Sequence, residues 1–478
     1  MASESNVFKG VIWAAIQRFG SLGISFISNM VLARLLTPDD FGTIGMLMFF
    51  IAIAQTFVDS GFGSALIQKK EICQEDKATV FVINMVMSVF LYGLLYIFSP
   101  TIAAFYDVPQ LNELLKVMGL VVIINGFGMV QSAQLQKQMH FKELSICNLV
   151  GSLITAISGI SAALLGCGVW SLVIRTLSGA LVTNILLLVA CRWKPSVRFS
   201  RKSFKQLFSF GGFMLMSSVL ITITNNVQTL IIGKMFSKSS LGNYTQARNL
   251  RNIASEGISH IIGQVLYPDF ASYQDNNAEI KRRLENSVYI LSYMVVPVML
   301  FCIIAGTPLI HVIYGGQWDE AVPYFRLMCI GGIPICLQDL NINVIKAKGH
   351  SKVLFYCNLV KVFVYFGLII TGAKLGGMIG LIISMIIYSA LAYLAFAIIG
   401  TYFIHTGIAD QLLRLGKSLL ISLPSVAACY LISRFVDGND LILLIILGTA
   451  YFGILLCVSI IVKPYPYTYL KTKIVLKR

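Results

Sequence analysis

Charge is what this sequence has least of. Of its 478 residues only 12% are Asp, Glu, Lys or Arg, against about 25% in a soluble globular domain. Another 57% are hydrophobic and the mean hydropathy is +0.79, the composition of a membrane protein. Histidine is scarce: His140, His260, His311, His350 and His405 show no metal-ligand spacing. The ten cysteines, scattered from Cys73 to Cys457, form neither a metal-ligand pattern nor a paired framework in a large loop. They read as reduced residues of the core or the lipid face. A signal-peptide cleavage site is also missing. The polar opening MASESNVFK leads straight into a long apolar run, which predicts that the first helix is retained.

What the chain does have is apolar runs of roughly 20 residues, from Gly10 to Val462, each long enough to cross a hydrocarbon core as a helix. That excludes a soluble enzyme with a single anchor. The runs and their breakers predict an all-α integral membrane protein with fourteen transmembrane helices. They lie near 10–32, 42–66, 79–104, 111–135, 144–166, 168–190, 208–233, 241–266, 288–313, 321–345, 353–373, 376–400, 411–435 and 440–462. With the N-terminus cytoplasmic, 25 of the 37 Lys and Arg residues fall on the cytoplasmic side and 5 on the other, the positive-inside pattern. Both ends are then cytoplasmic. The same bias accounts for the net charge of +16 better than nucleic-acid binding, which needs a basic folded surface.

The sequence also repeats itself. ARLLTPDDFG (Ala33 to Gly42) and GKMFSKSSLG (Gly233 to Gly242) follow one pattern 200 residues apart. At an offset of 210, HFKELSICNLV (His140 to Val150) matches HSKVLFYCNLV (His350 to Val360) at seven of eleven positions. KVMGL at Lys116 resembles RLMCI at Arg326, and Leu165-Gly166 matches Leu375-Gly376. These offsets predict an N-lobe of helices 1 to 6 (1–203) and a C-lobe of helices 7 to 12 (204–402), followed by helices 13 and 14 (403–462) and a basic cytoplasmic tail (463–478). Six crossings per copy make the repeat parallel, about an axis along the membrane normal. Two such lobes can enclose a cavity and expose it alternately by rocking. The paired motifs read as external turns: Thr37-Pro38 and Ser237 end the first helix of each copy, Gly42 and Gly242 open the next, and Arg34 and Lys234 are interfacial anchors.

Seven basic residues fall within the expected spans: Arg18, Lys116, Arg175, Arg248, Arg251, Arg326 and Lys361. An Arg or Lys at mid-bilayer costs ~2.5 to 3.5 kcal/mol on insertion scales, so such residues face a wet interior or pair with acids. The acids within spans are Asp59, Glu256 and Asp339, which leaves a cationic surplus suited to an anionic substrate. Arg18, Ser21, Ser25 and Ser28 stack on one helical face, and Ser218, Ile221, Asn225 and Gln228 occupy the equivalent positions 200 residues on. Arg18, Arg248 and Arg251 lie roughly 12 to 16 Å deep at 1.5 Å per residue, which favours cavity lining. Lys116 and Arg326 are shallow enough to snorkel instead. The candidate substrate contacts are thus Arg18, Ser25, Lys116, Arg175, Asn225, Arg248, Arg251, Arg326 and Lys361. The three acids either pair with arginines, the favoured reading, or bind a coupling proton or sodium ion. FGGF (Phe210 to Phe213) reads as a site of close helix approach rather than a phosphate cradle.

The run QRFGSLGISFISNMVLARLLTPDDFGTIGM (Gln17 to Met46) is similar to the opening of bacterial polysaccharide flippases, the Wzx-like branch of the multidrug/oligosaccharidyl-lipid/polysaccharide exporter superfamily. DSGFGSALIQKKE (Asp59 to Glu71) resembles the end of their second helix. The resemblance implies two lobes forming a V, in the bacterial inner membrane. The cargo it implies is an undecaprenyl-diphosphate-linked oligosaccharide, moved from the cytoplasmic to the periplasmic leaflet. Arg18 sits where lipid II flippases carry a cavity arginine, whereas its counterpart here is Ser218. A diphosphate needs several cationic donors, which Arg18, Arg248 and Arg251 can supply. The partners implied are the lipid-linked oligosaccharide, membrane lipids, and a polysaccharide polymerase with its chain-length regulator; no enzymatic activity, nucleic acid or cofactor beyond a coupling ion is expected. An ion-coupled multidrug exporter of the same superfamily typically has twelve spans and an acid-rich cavity. An integral-membrane polymerase or ligase usually carries a large external loop, and no external loop here exceeds about 15 residues.

Overall fold

The computed structural model describes residues 4–475 apart from 60–61, 70–71, 192, 194–198, 405–406 and 437. Every regular element among them is helical, the arrangement that satisfies each backbone N–H and C=O within its own segment, as lipid requires. The chain forms two compact units, Met1–Gly242 and Asn243–Arg478. Ten helices among the described residues are long and apolar enough to cross a membrane, which makes this a multi-pass membrane protein.

The first unit holds α1 (Glu4–Leu35), α2 (Pro38–Asp59), the short α3 (Phe62–Gln68), α4 (Gln74–Tyr106), α5 (Leu111–Met118), α6 (Leu120–Lys137), α7 (Phe141–Leu164), α8 (Trp170–Cys191) and α9 (Arg201–Met235). It also takes the first turn of α10 (Lys238–Ser272). α7 packs on α1 and α8, α6 on α4 and α8, and α9 on α2, α3 and α4. The sequence match makes α9 the first helix of the expected second copy, yet its packing lies in the first unit. The core gathers Phe81, Met129, Leu135, Leu187 and Trp193. The Trp193 indole N–H donates to Gln74 Oε1 at 2.8 Å, as a buried indole requires.

The second unit takes the rest of α10, with α11 (Asn277–Ile304), α12 (Gly306–Tyr314), a 3-10 turn (Gly316–Trp318), α13 (Ala321–Ala347), α14 (Ser351–Ile404), α15 (Ile408–Phe435), α16 (Asp440–Val462) and α17 (Tyr465–Val475). α13 packs on α11 and α14, and α15 on α11 and α16. α14 is two helices: Gly376 and Gly377 leave helical geometry, Gly377 with φ of 59°, a conformation that favours glycine. The halves then run side by side, so close that a Cβ on Gly372 would meet the Gly380 carbonyl oxygen at 2.5 Å. α16 is the least enclosed of the ten apolar spans, with 11% of its apolar stretch buried.

Helix ends overrun the expected apolar spans because charged turns prolong the helix past the hydrocarbon. α11 begins at Asn277, where Glu279 accepts from Arg282 and Arg283, three and four residues on, each at 2.8 Å. Breaks also subdivide three spans. The run expected at 42–66 becomes α2 and α3, the one at 111–135 becomes α5 and α6, and the one at 288–313 becomes α11 and α12.

The paired turns take the same form 200 residues apart. α1 ends at Leu35 and α9 at Met235, while α2 starts at Pro38 and α10 at Lys238. Thr37 and Ser237 cap the helices that follow. Asp40 donates its backbone N–H to Thr37 Oγ1 at 3.4 Å and receives the Thr37 N–H at 3.0 Å; Ser240 donates its backbone N–H to Ser237 Oγ at 3.0 Å. Lys234 donates to the Phe105 carbonyl at 2.6 Å and pairs with Asp107 at 3.3 Å, so it ties α9 to the end of α4.

Candidate functional site

Polar side chains converge in an open cleft of the first unit. Met48, Ile51, Ala52, Gln55 and Thr56 recur on α2 at steps of three and four, which puts them on one face. From α9 come Ser218, Ile221, Thr222 and Asn226; Met118 of α5, Val121 and Asn125 of α6 and Thr176 of α8 complete the lining. The cavity measures about 620 Å³, and among the described residues none that lines it is charged.

Hydrogen bonds fix these groups. Asn184, on α8, donates Nδ2 to Asn125 Oδ1 at 3.2 Å, and Asn125 donates Nδ2 to Gln55 Oε1 at 3.1 Å. Gly128 makes this relay possible, since a Cβ there would lie 1.5 Å from Asn184 Oδ1. The Thr56 and Thr222 hydroxyls are 2.9 Å apart. Thr56 directs its one hydrogen to the Ala52 carbonyl at 2.7 Å, so Thr222 is the donor between them. In apolar surroundings an unmet amide costs roughly 2 to 7 kcal/mol, which is why these groups are linked and not scattered.

The cations expected from the sequence do not line this cleft. Arg18 and Ser25 are exposed on α1, but the stripe that joined them divides: Ser21 accepts from Ser152 of α7 at 3.1 Å and Ser28 is buried. Lys116 lies over the Tyr96 ring at 5.0 Å, and its carbonyl accepts from Tyr92. Arg175 lays its stem against α7, where a Cβ on Gly159 would be 2.9 Å from Arg175 Cβ. Asn225 is exposed on α9.

In the second unit the structure does bring cations together. Arg248 and Arg251, three residues apart on α10, both act electrostatically on Tyr365 of α14. Arg251 is 8% exposed, its Cδ 3.4 Å from the position a Cβ would take on Gly332 of α13. Lys361 lies over the Phe396 ring at 4.8 Å and interacts with the charge of Asp339. Arg326 donates to Thr307 Oγ1 at 3.1 Å. The side chains of Asp59 and Glu256 lie outside those described.

Sequence reading missed Gln55, Thr56, Asn125, Thr176, Thr222 and Asn226. The available signal was a single amide or hydroxyl interrupting an apolar run, as in MFFIAIAQTFVD and VVIINGFG. On α9 the repeat offset selected Asn225, one residue from Asn226.

The family described as polysaccharide biosynthesis protein matches residues 31–323. The chain is similar to the lipopolysaccharide biosynthesis protein WzxC of Escherichia coli (strain K12), 21% identical over 446 residues that span 92% of this chain and 90% of that one. It is similar to the succinoglycan biosynthesis transport protein ExoT of Rhizobium meliloti (strain 1021), 24% identical over 83% of this chain and 80% of that one. Among solved structures, the lipid II flippase MurJ in an inward closed conformation shares the fold, with a TM-score of 0.77 at 16% identity, across 94% of this chain and 98% of that one. With more than half its length matched, the chain belongs to the polysaccharide biosynthesis protein family.

Proposed function

We propose that this protein is a flippase, moving undecaprenyl-diphosphate-linked oligosaccharide repeat units from the cytoplasmic to the periplasmic leaflet of a bacterial inner membrane. It has fourteen spans, with both termini cytoplasmic, and works by alternating access. The observation that carries this reading is the pairing of Arg248 and Arg251 on α10 beside Tyr365, in a chain of this family. Ionisable residues within membrane helices mark the path of a substrate or an ion. A diphosphate suits a pair of arginines, because guanidinium groups grip its oxygens two at a time. Arg18 of the first unit also contacts the cargo, and Asp339 with Lys361 holds the charge balance of the second unit or takes the coupling ion. The chain works beside a polymerase and its chain-length regulator, which consume the cargo on the far side.

The test is reconstitution. Vesicles holding the purified protein and a lipid-linked repeat unit labelled on its sugar are exposed to a membrane-impermeant glycosidase. Protein-dependent loss of the protected inner-leaflet pool supports the reading, and protection identical to that of empty vesicles refutes it.

A further inference from the structure

Among the described residues, the cleft of the first unit is lined by no cation that would receive the diphosphate and no carboxylate that would hold a coupling ion. Its seven polar lining residues among thirteen make it a poor berth for a polyprenyl chain. We propose that it binds the sugar rings of the cargo, an assignment that rests on the flippase reading above. Asn125 and Asn226 each present a donor and an acceptor in one planar group, a match for neighbouring hydroxyls or an acetamido group on a sugar ring. Ser218 adds a hydroxyl that can both give and accept, and Thr176 and Thr222, whose hydrogens go to the Leu172 carbonyl and to Thr56, add acceptors. Met48, Ile51 and Met118 offer apolar surface to the C–H face of a ring. At roughly 30 Å³ per water-sized group, the cavity of about 620 Å³ has room for about one or two hexose rings, and its open side lets a longer chain continue outward. The Gln55–Asn125–Asn184 relay holds Asn125 in place before any sugar arrives, which lowers the ordering cost of binding.

The experiment uses the full chain in nanodiscs and three probes prepared from a producing strain: the lipid-linked repeat unit, undecaprenyl diphosphate alone, and the lipid-free oligosaccharide released by mild acid. Asn125→Leu and Asn226→Ala are expected to weaken binding of the lipid-linked unit about tenfold, the worth of a lost hydrogen bond plus an unmet polar partner. They leave binding of undecaprenyl diphosphate unchanged and abolish any competition by the free oligosaccharide. Thr222→Val, nearly the same shape, gives the same pattern and covers the case in which Asn125→Leu does not fold. The double variant R248A/R251A instead weakens both lipids. If the cleft variants leave the lipid-linked unit unaffected, or weaken both lipids equally, the sugar site is wrong and the flippase reading stands. If wild-type protein binds neither lipid, the flippase reading itself fails.

Discussion

Gly42 of α2 rests on the carbonyl of Lys238, the first residue of α10, and Gly242 of α10 rests on the carbonyl of Pro38, the first residue of α2. A Cβ at either glycine would stand 1.8 or 1.9 Å from that oxygen. The obstacle is backbone, which cannot swing aside as a long side chain does. Gly42→Val and Gly242→Val are each expected to destabilise by about 1 to 3 kcal/mol or more. The check is a thermal unfolding midpoint in detergent, with Gly453→Ala, at a site open to its surroundings, as a neutral control. Midpoints equal to wild type in both valine variants would contradict this close approach.

A buried amide pair locks the second unit. Asn341 and Gln411 exchange hydrogen bonds of 3.2 and 3.1 Å, and Tyr393 donates to Gln411 Oε1 at 3.1 Å; Asn341 and Gln411 are fully buried. Asn341→Leu alone strands the Gln411 amide and is expected to cost about 1 to 3 kcal/mol. Changing both residues to leucine removes the stranded group, so the double variant recovers part of that loss. A strictly additive double variant would sink the coupling.

His311 introduces a pH dependence. Its Nδ1 lies 2.9 Å from Asp440 Oδ2 and its Nε2 bonds Asp319; it sits on α12, beyond the apolar span of α11. Partial burial favours the neutral ring, but the two carboxylates outweigh it and raise the pKa above the ordinary 6.5. A group whose folded pKa is raised contributes stability that is fully present below its unfolded pKa and is lost as pH rises through the folded one. Wild-type midpoints are therefore expected to decline above pH 6.5 relative to His311→Gln. Parallel profiles for the two proteins would show that the imidazole is not charged in the folded state.

Arg248 and Arg251 carry the functional prediction. The double alanine variant, and separately Arg18→Ala, are expected to abolish surface polysaccharide in a producing strain while the protein still inserts at wild-type levels. Whole-cell polysaccharide staining beside a membrane immunoblot reads both quantities. Normal polysaccharide in well-expressed variants would remove these arginines from the cargo path.

Apolar runs and their breakers made the helices legible in the sequence, because a segment in lipid has few alternatives to helix. The break between the runs at 353–373 and 376–400 announced the reversal inside α14, and Thr37-Pro38 announced the end of α1, although the next helix opens at Pro38 and not at Gly42. The helix ends were less legible: Glu279 and Arg283 prolong α11 by local charge pairing that hydropathy does not register. The arginine pair of the second unit could be found from one segment, since Arg248 and Arg251 are conspicuous in any span. The cleft could not, because Gln55, Asn125, Asn184 and Thr222 lie on four helices and acquire meaning only by packing. Ser21 shows the converse error, a polar residue on the expected stripe that serves a neighbouring helix.

α16 buries Leu447, Tyr451 and Ser459 and few other side chains, so almost any apolar residue would serve at most of its remaining positions. Selection there is expected to act on hydropathy more than on identity, which leaves much of this helix free to drift. Relatives are expected to keep a span in this place while sharing few of its residues, and an alignment that weakens towards the C-terminus would then record relaxed constraint and not a change of fold.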